Sequence, residues 1–278
     1  MKNKVIGSLI AGIVLASLFG GMGGCRTSLR MATTTSLYDT GLWDYLEPMF
    51  EEQYNVKLDI IYAGTGKALE YGRRGDVDVL TVHSKARELQ FIAKGYGVRR
   101  VPFAYNYFLI VGPETDPAGI KGMSPEEAFK KLMETGSGSF VSRGDDSGTH
   151  SKEKAIWKAA GFGYEAVREA GKWYIEGGTG MGPTLLMTSE KQAYTLTDMG
   201  TFLSYKGKLG LVPIVEKGEI LLNVYSAIAV NHTETKTDMA NNLISFLTSP
   251  EIQKFIGDYG VKEYGMQLFT PCAGAEPR

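Results

Sequence analysis

"YNYFLIVGP", residues 105–113, is a long apolar run closed by Gly112 and Pro113, and a second such run, "LLNVYSAIAV", fills residues 221–230. Runs of this kind, rich in branched and aromatic side chains and bounded by turn residues, read as buried strands. They divide the chain into blocks. Ahead of the first run, strand and helix patterns alternate. "LRMA" (29–32) is a first strand, and Leu42, Leu46, Met49 and Phe50 fall at helical spacing in a helix beginning near Gly41. "VKLDIIY" (56–62) then alternates as a strand, "KALEYGRRG" (67–75) reads as a short helix, "VDVLTV" (77–82) as a buried strand and "SKARELQFIAKG" (84–95) as a helix ended by Gly95.

The block between the runs repeats this texture. Ser124 and Pro125 look like the cap and first turn of a helix over "SPEEAFKKLM" (124–133). Strand "SFVSR" (139–143), helix "HSKEKAIWKAA" (150–160), strand "KWYIEGG" (172–178), helix "PTLLMTSEK" (183–191), strand "AYTLTD" (193–198) and helix "GTFLSYKG" (200–207) follow. After the second run come two helices, 237–248 and 250–260, with no further strand, and "AGAEPR" (273–278) as a loose tail. Alternating strands and helices imply an α/β fold of mainly parallel sheets flanked by helices. Two such blocks joined by two long strands predict two lobes, with the chain crossing near residue 111 and returning near residue 223. Lobe 1 then comprises 25–110 and 224–278, with the last helices packed on it, and lobe 2 comprises 111–223.

The N-terminus carries a compartment signal. Lys2 and Lys4 precede an uncharged stretch from Val5 to Gly24, which stops at Cys25. That is the layout of an export signal over 1–24. Gly23 and Gly24 before Cys25 resemble a bacterial lipobox, whose cysteine is lipidated, although Met22 stands where leucine is usual. The other reading is an uncleaved membrane helix, but four glycines among residues 20–24 make that helix a poor one. Cys272 is the only other cysteine, so the fold does not rest on a disulfide framework and no Cys/His metal cluster can be assembled. Without a lipid, a Cys25–Cys272 bridge is a further option. With 30 basic and 31 acidic residues, the chain has no net field to draw nucleic acid or an anionic membrane surface. A ligand has to be recognised by local geometry.

Clefts in open α/β sheets form where strand ends run into helix N-termini, and three such loops stand out. "TTTS" (33–36) offers consecutive hydroxyls, suited either to an anion or to capping a helix. "YAGTGKALE" (62–70) is not a P-loop, because Ala68 occupies the position after Gly66-Lys67 that needs a hydroxyl and no glycine stands at the required place upstream. What remains is a glycine-rich turn whose backbone N–H groups at Gly64, Thr65 and Gly66 can meet an anion, or a tight turn with no ligand. "SRGDDSGTH" (142–150) sets Arg143 beside Ser147, Gly148 and Thr149, with Asp145 and Asp146 between. An arginine fork next to helix-terminal hydroxyls suits a tetrahedral oxyanion; an Arg–Asp pair tying a surface loop is the alternative. A serine hydrolase using Ser147 is a rival. It needs an oriented base, and His83, His150 and His232 all read instead as surface or helix residues.

"ATTTS" (32–36) after a lipoprotein-like start, "GTGKALE" (64–70) with "GDVDVLTVHS" (75–84), "SRGDDSGTH", "GTGMGPTL" (178–185) and "YTLTDMGTFL" (194–203) together resemble the tungstate-binding subunits of tungstate ABC transporters, relatives of molybdate and phosphate binders. The resemblance implies a type II periplasmic-binding fold, no chemistry on the ligand, no cofactor, and delivery of tungstate or molybdate to a membrane permease and its ATPase. Carried onto this sequence, it makes Thr34, Ser36, Arg143 and Thr149 ligand contacts, and Thr35, Gly64, Ser147 and Gly148 backbone or hydroxyl donors. They would hold the oxyanion through its oxygens, with no direct metal ligand. "GGTGMGPTL" (177–185) lines either the cleft or only a turn. Thr197 and Asp198 shape the mouth, and Tyr105, Asn106 and Tyr225 serve packing or the hinge. A phosphate-binding transport subunit is the nearest alternative.

Overall fold

The computed structural model describes residues 27–205, 207–231 and 234–277; the expected export segment 1–24, Cys25 and His232 lie outside the described residues. The first lobe opens with β1 (Ser28–Thr34), a short α1 (Thr35–Tyr38), α2 (Leu42–Tyr54), β2 (Lys57–Ala63), α3 (Thr65–Arg74), β3 (Val79–Val82) and α4 (Lys85–Ala93). β1 pairs in parallel with β2 on one side and β3 on the other, as strand–helix–strand order demands. The helical spacing at Leu42, Leu46 and Phe50 is a core face: all three are buried, and they pack with Leu29, Met31 and Phe246.

β4 (Gly97–Gly112) is the strand shared by both lobes. It runs antiparallel to β9 (Leu222–Val230) as far as the Tyr107–Leu222 pair. From the Phe108–Asp198 pair onward it runs beside β7 (Thr195–Asp198), and near its end beside β8 (Val212–Val215). β9 also pairs antiparallel with β3. The crossing strands thus add antiparallel pairings to the parallel units. The apolar run at 105–113 marks only the second part of β4. Arg99, Arg100 and Pro102 interrupt the pattern before it, and the register shifts between Gly97 and Arg100 and between Pro102 and Ala104. Such irregularities are where a strand accommodates proline.

The second lobe continues with α5 (Pro125–Thr135), β5 (Phe140–Ser142), α6 (Gly148–Ala159), α7 (Tyr164–Arg168), β6 (Tyr174–Glu176), α8 (Met181–Glu190) and α9 (Met199–Ser204). Ser124 and Glu127 form a reciprocal capping box on α5, with Pro125 as its first residue. β5 and β6 are parallel, and Phe129, Phe140, Trp157 and Tyr194 fill the core above them. β8 lies in a stretch the sequence did not mark, because Pro213 splits a four-residue strand.

The chain ends with α10 (Glu234–Leu247), α11 (Pro250–Asp258), α12 (Val261–Tyr264) and β10 (Thr270–Pro271). α10 and α11 pack on the first lobe, contributing Leu243, Phe246, Ile252 and Ile256 to its core. β10 pairs with Ala104 and Tyr105 of β4, a strand too short for any alternation to reveal. The tail is not loose: the Gly274 N–H donates to Pro102 O at 2.7 Å, and Glu276 pairs with Arg100 and Lys85. Among the described residues no helix is long and apolar enough to cross a membrane.

Candidate oxyanion site

The hydroxyls at the end of β1 have separate tasks. Thr33 Oγ1 donates to Thr81 O and serves the sheet. Thr34 Oγ1 accepts from Leu37 N at 3.4 Å, capping α1. Thr35 is half-buried, while Ser36 is buried with its Oγ 3.1 Å from His83 Nε2 and 3.5 Å from Thr34 Oγ1. Capping and ligand-facing readings of "TTTS" therefore divide between neighbouring residues.

At the second loop Gly64 is the N-cap of α3, and no side chain caps the helix. The helix starts at Thr65, earlier than expected. Thr65 is fully buried, and its Oγ1 has no hydrogen-bond partner. The sequence points to the backbone N–H of Thr65 and not to its hydroxyl. The available signal was a threonine in the first turn after a strand end, the same placement as Thr149.

The third loop is the most constrained. Arg143 is 2% exposed; one terminal nitrogen donates to Asp145 Oδ2 at 2.5 Å, and its Nε has no partner. Asp145 Oδ1 accepts from Ser147 N at 3.2 Å. Ser147 Oγ accepts from His150 N at 3.1 Å and so caps α6. Thr149 is buried with Oγ1 unpartnered. Below the loop, Ser142 Oγ donates to Glu153 Oε2 at 2.6 Å, and Tyr174 OH and Trp157 Nε1 donate to Glu153 Oε1. Burial pushes the Glu153 carboxyl up to about 7. The glycine turn after β6 holds the same loop, since the Gly178 N–H donates to Arg143 O at 2.8 Å.

The two lobes meet across these loops. A Cβ on Gly64 would lie 3.5 Å from Ser147 Cα, and one on Gly148 would lie 2.6 Å from His83 Cε1 and 2.9 Å from Thr65 Oγ1. Glycine at 148 is thus what allows the approach. The N-termini of α3 and α6 abut here, one from each lobe, and each carries partial positive charge of about half a unit. Asp146, at φ 58°, turns out of the loop and receives both terminal nitrogens of Arg87 on α4 at 3.0 and 2.9 Å. That ion pair ties the lobes together at the surface.

His83, just past β3, is neither a surface nor a helix residue, contrary to expectation: it is 6% exposed and follows the strand into the junction. Its Nδ1 lies 2.8 Å from Asn223 Oδ1, and Asn223 Nδ2 donates to Asn106 Oδ1 and Tyr225 OH. Asn106 and Tyr225 thus form a polar bracket where β4 and β9 cross. Burial, with Arg143 and Lys152 nearby, pushes His83 down to about 4. A cavity of about 360 Å³ opens beside the ring, lined also by Gly148, Ser151, Lys152 and Leu222. Asp198 is buried, with both oxygens spent on Thr201 at the start of α9.

Among the described residues the unpartnered buried groups here are all donors: Thr65 Oγ1, Thr149 Oγ1, Arg143 Nε and Asn106 Nδ2. The carboxylates of Asp145, Asp146 and Asp198 are engaged elsewhere. A buried donor without a partner costs about 1–3 kcal/mol, and an anion with several acceptor oxygens would relieve several at once. The hydrolase reading of Ser147 finds no support in this geometry. Ser147 faces no base, because the His150 ring is held between Asp146 N and Tyr164 OH.

Comparison with known proteins shows the family. The profile of the PBP superfamily domain matches residues 24–251. The chain is similar to a putative ABC transporter anion-binding protein of Haloferax volcanii, 45% identical over 91% of this chain and 74% of that one. It is also similar to the tungstate-binding protein TupA of Peptoclostridium acidaminophilum, 44% identical over 89% of this chain and 87% of that one. Among solved structures, TupA from Desulfovibrio alaskensis G20 superimposes with a TM-score of 0.76 at 42% identity, covering 89% of this chain and all of the other.

Proposed function

Because the chain belongs to the periplasmic-binding-protein superfamily and, within it, to the tungstate-binding subunits of ABC transporters, we propose that the donor cluster between its lobes is the tungstate site. The protein is an exported transport subunit and not an enzyme. In the proposed site Ser36, Thr34 and Thr35 with the α3 terminus at Gly64 serve from one lobe. Arg143, Ser147, Gly148 and Thr149 serve from the other. They act through the oxygens of the anion, and no side chain bonds the metal. Thr65 joins the set on the strength of its buried, unpartnered hydroxyl.

The observation that carries this reading is the convergence of unpartnered buried donors at two abutting helix N-termini. Tungstate near neutral pH carries no proton, so its oxygens only accept, and a shell of donors suits it. Hydrogen phosphate needs an acceptor. Asp145 is held by Arg143 and Ser147, Asp146 by Arg87 and Asp198 by Thr201, so none of these three carboxylates is turned to a phosphate proton. Closure follows from the same arrangement. Without an anion the two helix termini and Arg143 oppose one another; with it they share one countercharge, so the ligand favours the closed form.

The closed lobes, taken as 25–110 with 224–278 and as 111–223, would then dock on a membrane permease driven by its ATPase. Lipid on Cys25 would hold the mature chain at the outer face of the cytoplasmic membrane after removal of 1–24. Titration calorimetry with tungstate, molybdate, sulfate and phosphate tests the ligand assignment. Tungstate and molybdate are expected to bind, and excess phosphate should not displace tungstate. Displacement by phosphate at comparable concentration would instead make this a phosphate carrier.

A further inference from the structure

His83 lies in none of the loops that the sequence singles out, yet its ring touches Ser36, a proposed ligand contact. The hydrogen atoms along this contact can be assigned from the partners. Asn223 Nδ2 is occupied by Asn106 Oδ1 at 2.8 Å and Tyr225 OH at 2.9 Å, so the atom of Asn223 facing His83 Nδ1 is the amide oxygen. An amide oxygen only accepts, and Nδ1 therefore carries a hydrogen. In a neutral imidazole the other nitrogen is then a bare acceptor. Nε2 lies 3.1 Å from Ser36 Oγ and takes its O–H. Ser36 has a single hydrogen, and in the empty site that hydrogen points at His83. Toward the cleft Ser36 shows lone pairs, which repel an anion.

We infer that oxyanion binding is coupled to the uptake of one proton by His83. The proton comes from solvent and forms an N–H bond at Nε2. The imidazolium donates that hydrogen to Ser36 Oγ, and Ser36 turns its own hydrogen onto an oxygen of the anion. No other bond is made or broken. His83 is thus a positioning residue that acts through Ser36, and the inference rests on Ser36 being a ligand contact as proposed above.

The surroundings keep the ring neutral until an anion arrives. Arg143 from the loop before α6 and Lys152 on α6 both oppose a charge on it, and the rings of Phe108 and Tyr225 pack beside it. Glu88, the acid on the adjoining helix, is engaged by Arg100, Ser84 and Ser226. Buried among these groups, the empty-site ring is held far below the ordinary histidine range. A dianion seated at Ser36 reverses the local charge and raises it. The bound value therefore lies above the empty one. Affinity is greatest in acid and is lost as pH rises through the bound value, by at most about tenfold per pH unit for one proton.

Calorimetry of the mature chain with sodium tungstate, at pH 6 and pH 8 and in two buffers of different ionisation heat, counts the protons taken up. The wild type is expected to take up a measurable fraction of a proton per tungstate, at most one, at pH 6 and to bind more weakly at pH 8. Glu153 and Lys152, shifted to about 7 and about 8, could also titrate on binding, so a variant isolates the source. His83→Gln keeps an N–H for Ser36 but cannot ionise. It is expected to take up no proton and to show the same affinity at both pH values, whereas a residue of purely structural value would leave proton uptake unchanged. Tungstate binding without proton uptake in the wild type, or uptake retained in His83→Gln, overturns the coupling alone. No tungstate binding at either pH overturns the site assignment and the coupling with it.

Discussion

Arg143 brings the one full positive charge in the proposed site, and its setting explains why a single arginine suffices. It is buried, its carbonyl is pinned by Gly178, and Asp145 takes one terminal nitrogen while Nε stays free for a ligand. Arg143→Ala is expected to weaken tungstate binding by about 2 to 5 kcal/mol, roughly 30-fold or more, with the far-ultraviolet circular dichroism unchanged. An unaltered dissociation constant would remove Arg143 from the site. Arg143, Ser147 and Thr149 were legible because an arginine at a strand end and hydroxyls at a helix start sit together in the sequence. Thr65 and His83 were not. Thr65 stood between two glycines that drew attention to the backbone. His83 gains its meaning from Asn223, whose partnership with it is made only when β3 and β9 lie side by side.

At the scale of elements, the site is the meeting of two helix starts, α3 and α6, presented by sheets that hold them face to face. Both strand–helix junctions could be read from the sequence, because the switch from an apolar run to helical spacing is local. The long crossing strand was only half legible. Residues 97–104 carry Arg99, Arg100 and Pro102, and their pairing with β9 comes from tertiary contact and not from pattern. The close approach of the helices also left no trace beyond a glycine. Gly148 has helical backbone, so Gly148→Ala should not harm α6. Its new methyl group, however, would meet His83 and Thr65 at less than 3.0 Å. Forcing those neighbours apart costs about 1–3 kcal/mol. The variant is expected to fold, with some loss of melting temperature, and to bind tungstate about tenfold or more weakly. Wild-type affinity in Gly148→Ala would mean that the lobes do not need to come this close.

For the molecule as a whole, near-neutral net charge means that capture does not depend on a long-range field; it depends on donors held in place by two packed lobes. The Arg87–Asp146 pair spans the lobes, but it is partly exposed and worth at most about 1 kcal/mol. It aligns the closed form more than it drives closure. The drive has to come from the ligand, whose oxygens would satisfy Thr65, Thr149 and Arg143 together. The most direct test is a crystal grown with tungstate and measured at the tungsten absorption edge, where anomalous scattering locates the metal without reference to the protein. One strong peak is expected between the N-termini of α3 and α6, with oxygens within hydrogen-bond reach, about 2.6–3.2 Å, of Ser36, Thr65, Arg143 and Thr149. A peak outside this junction, or tungsten bonded directly to a side chain, would contradict it.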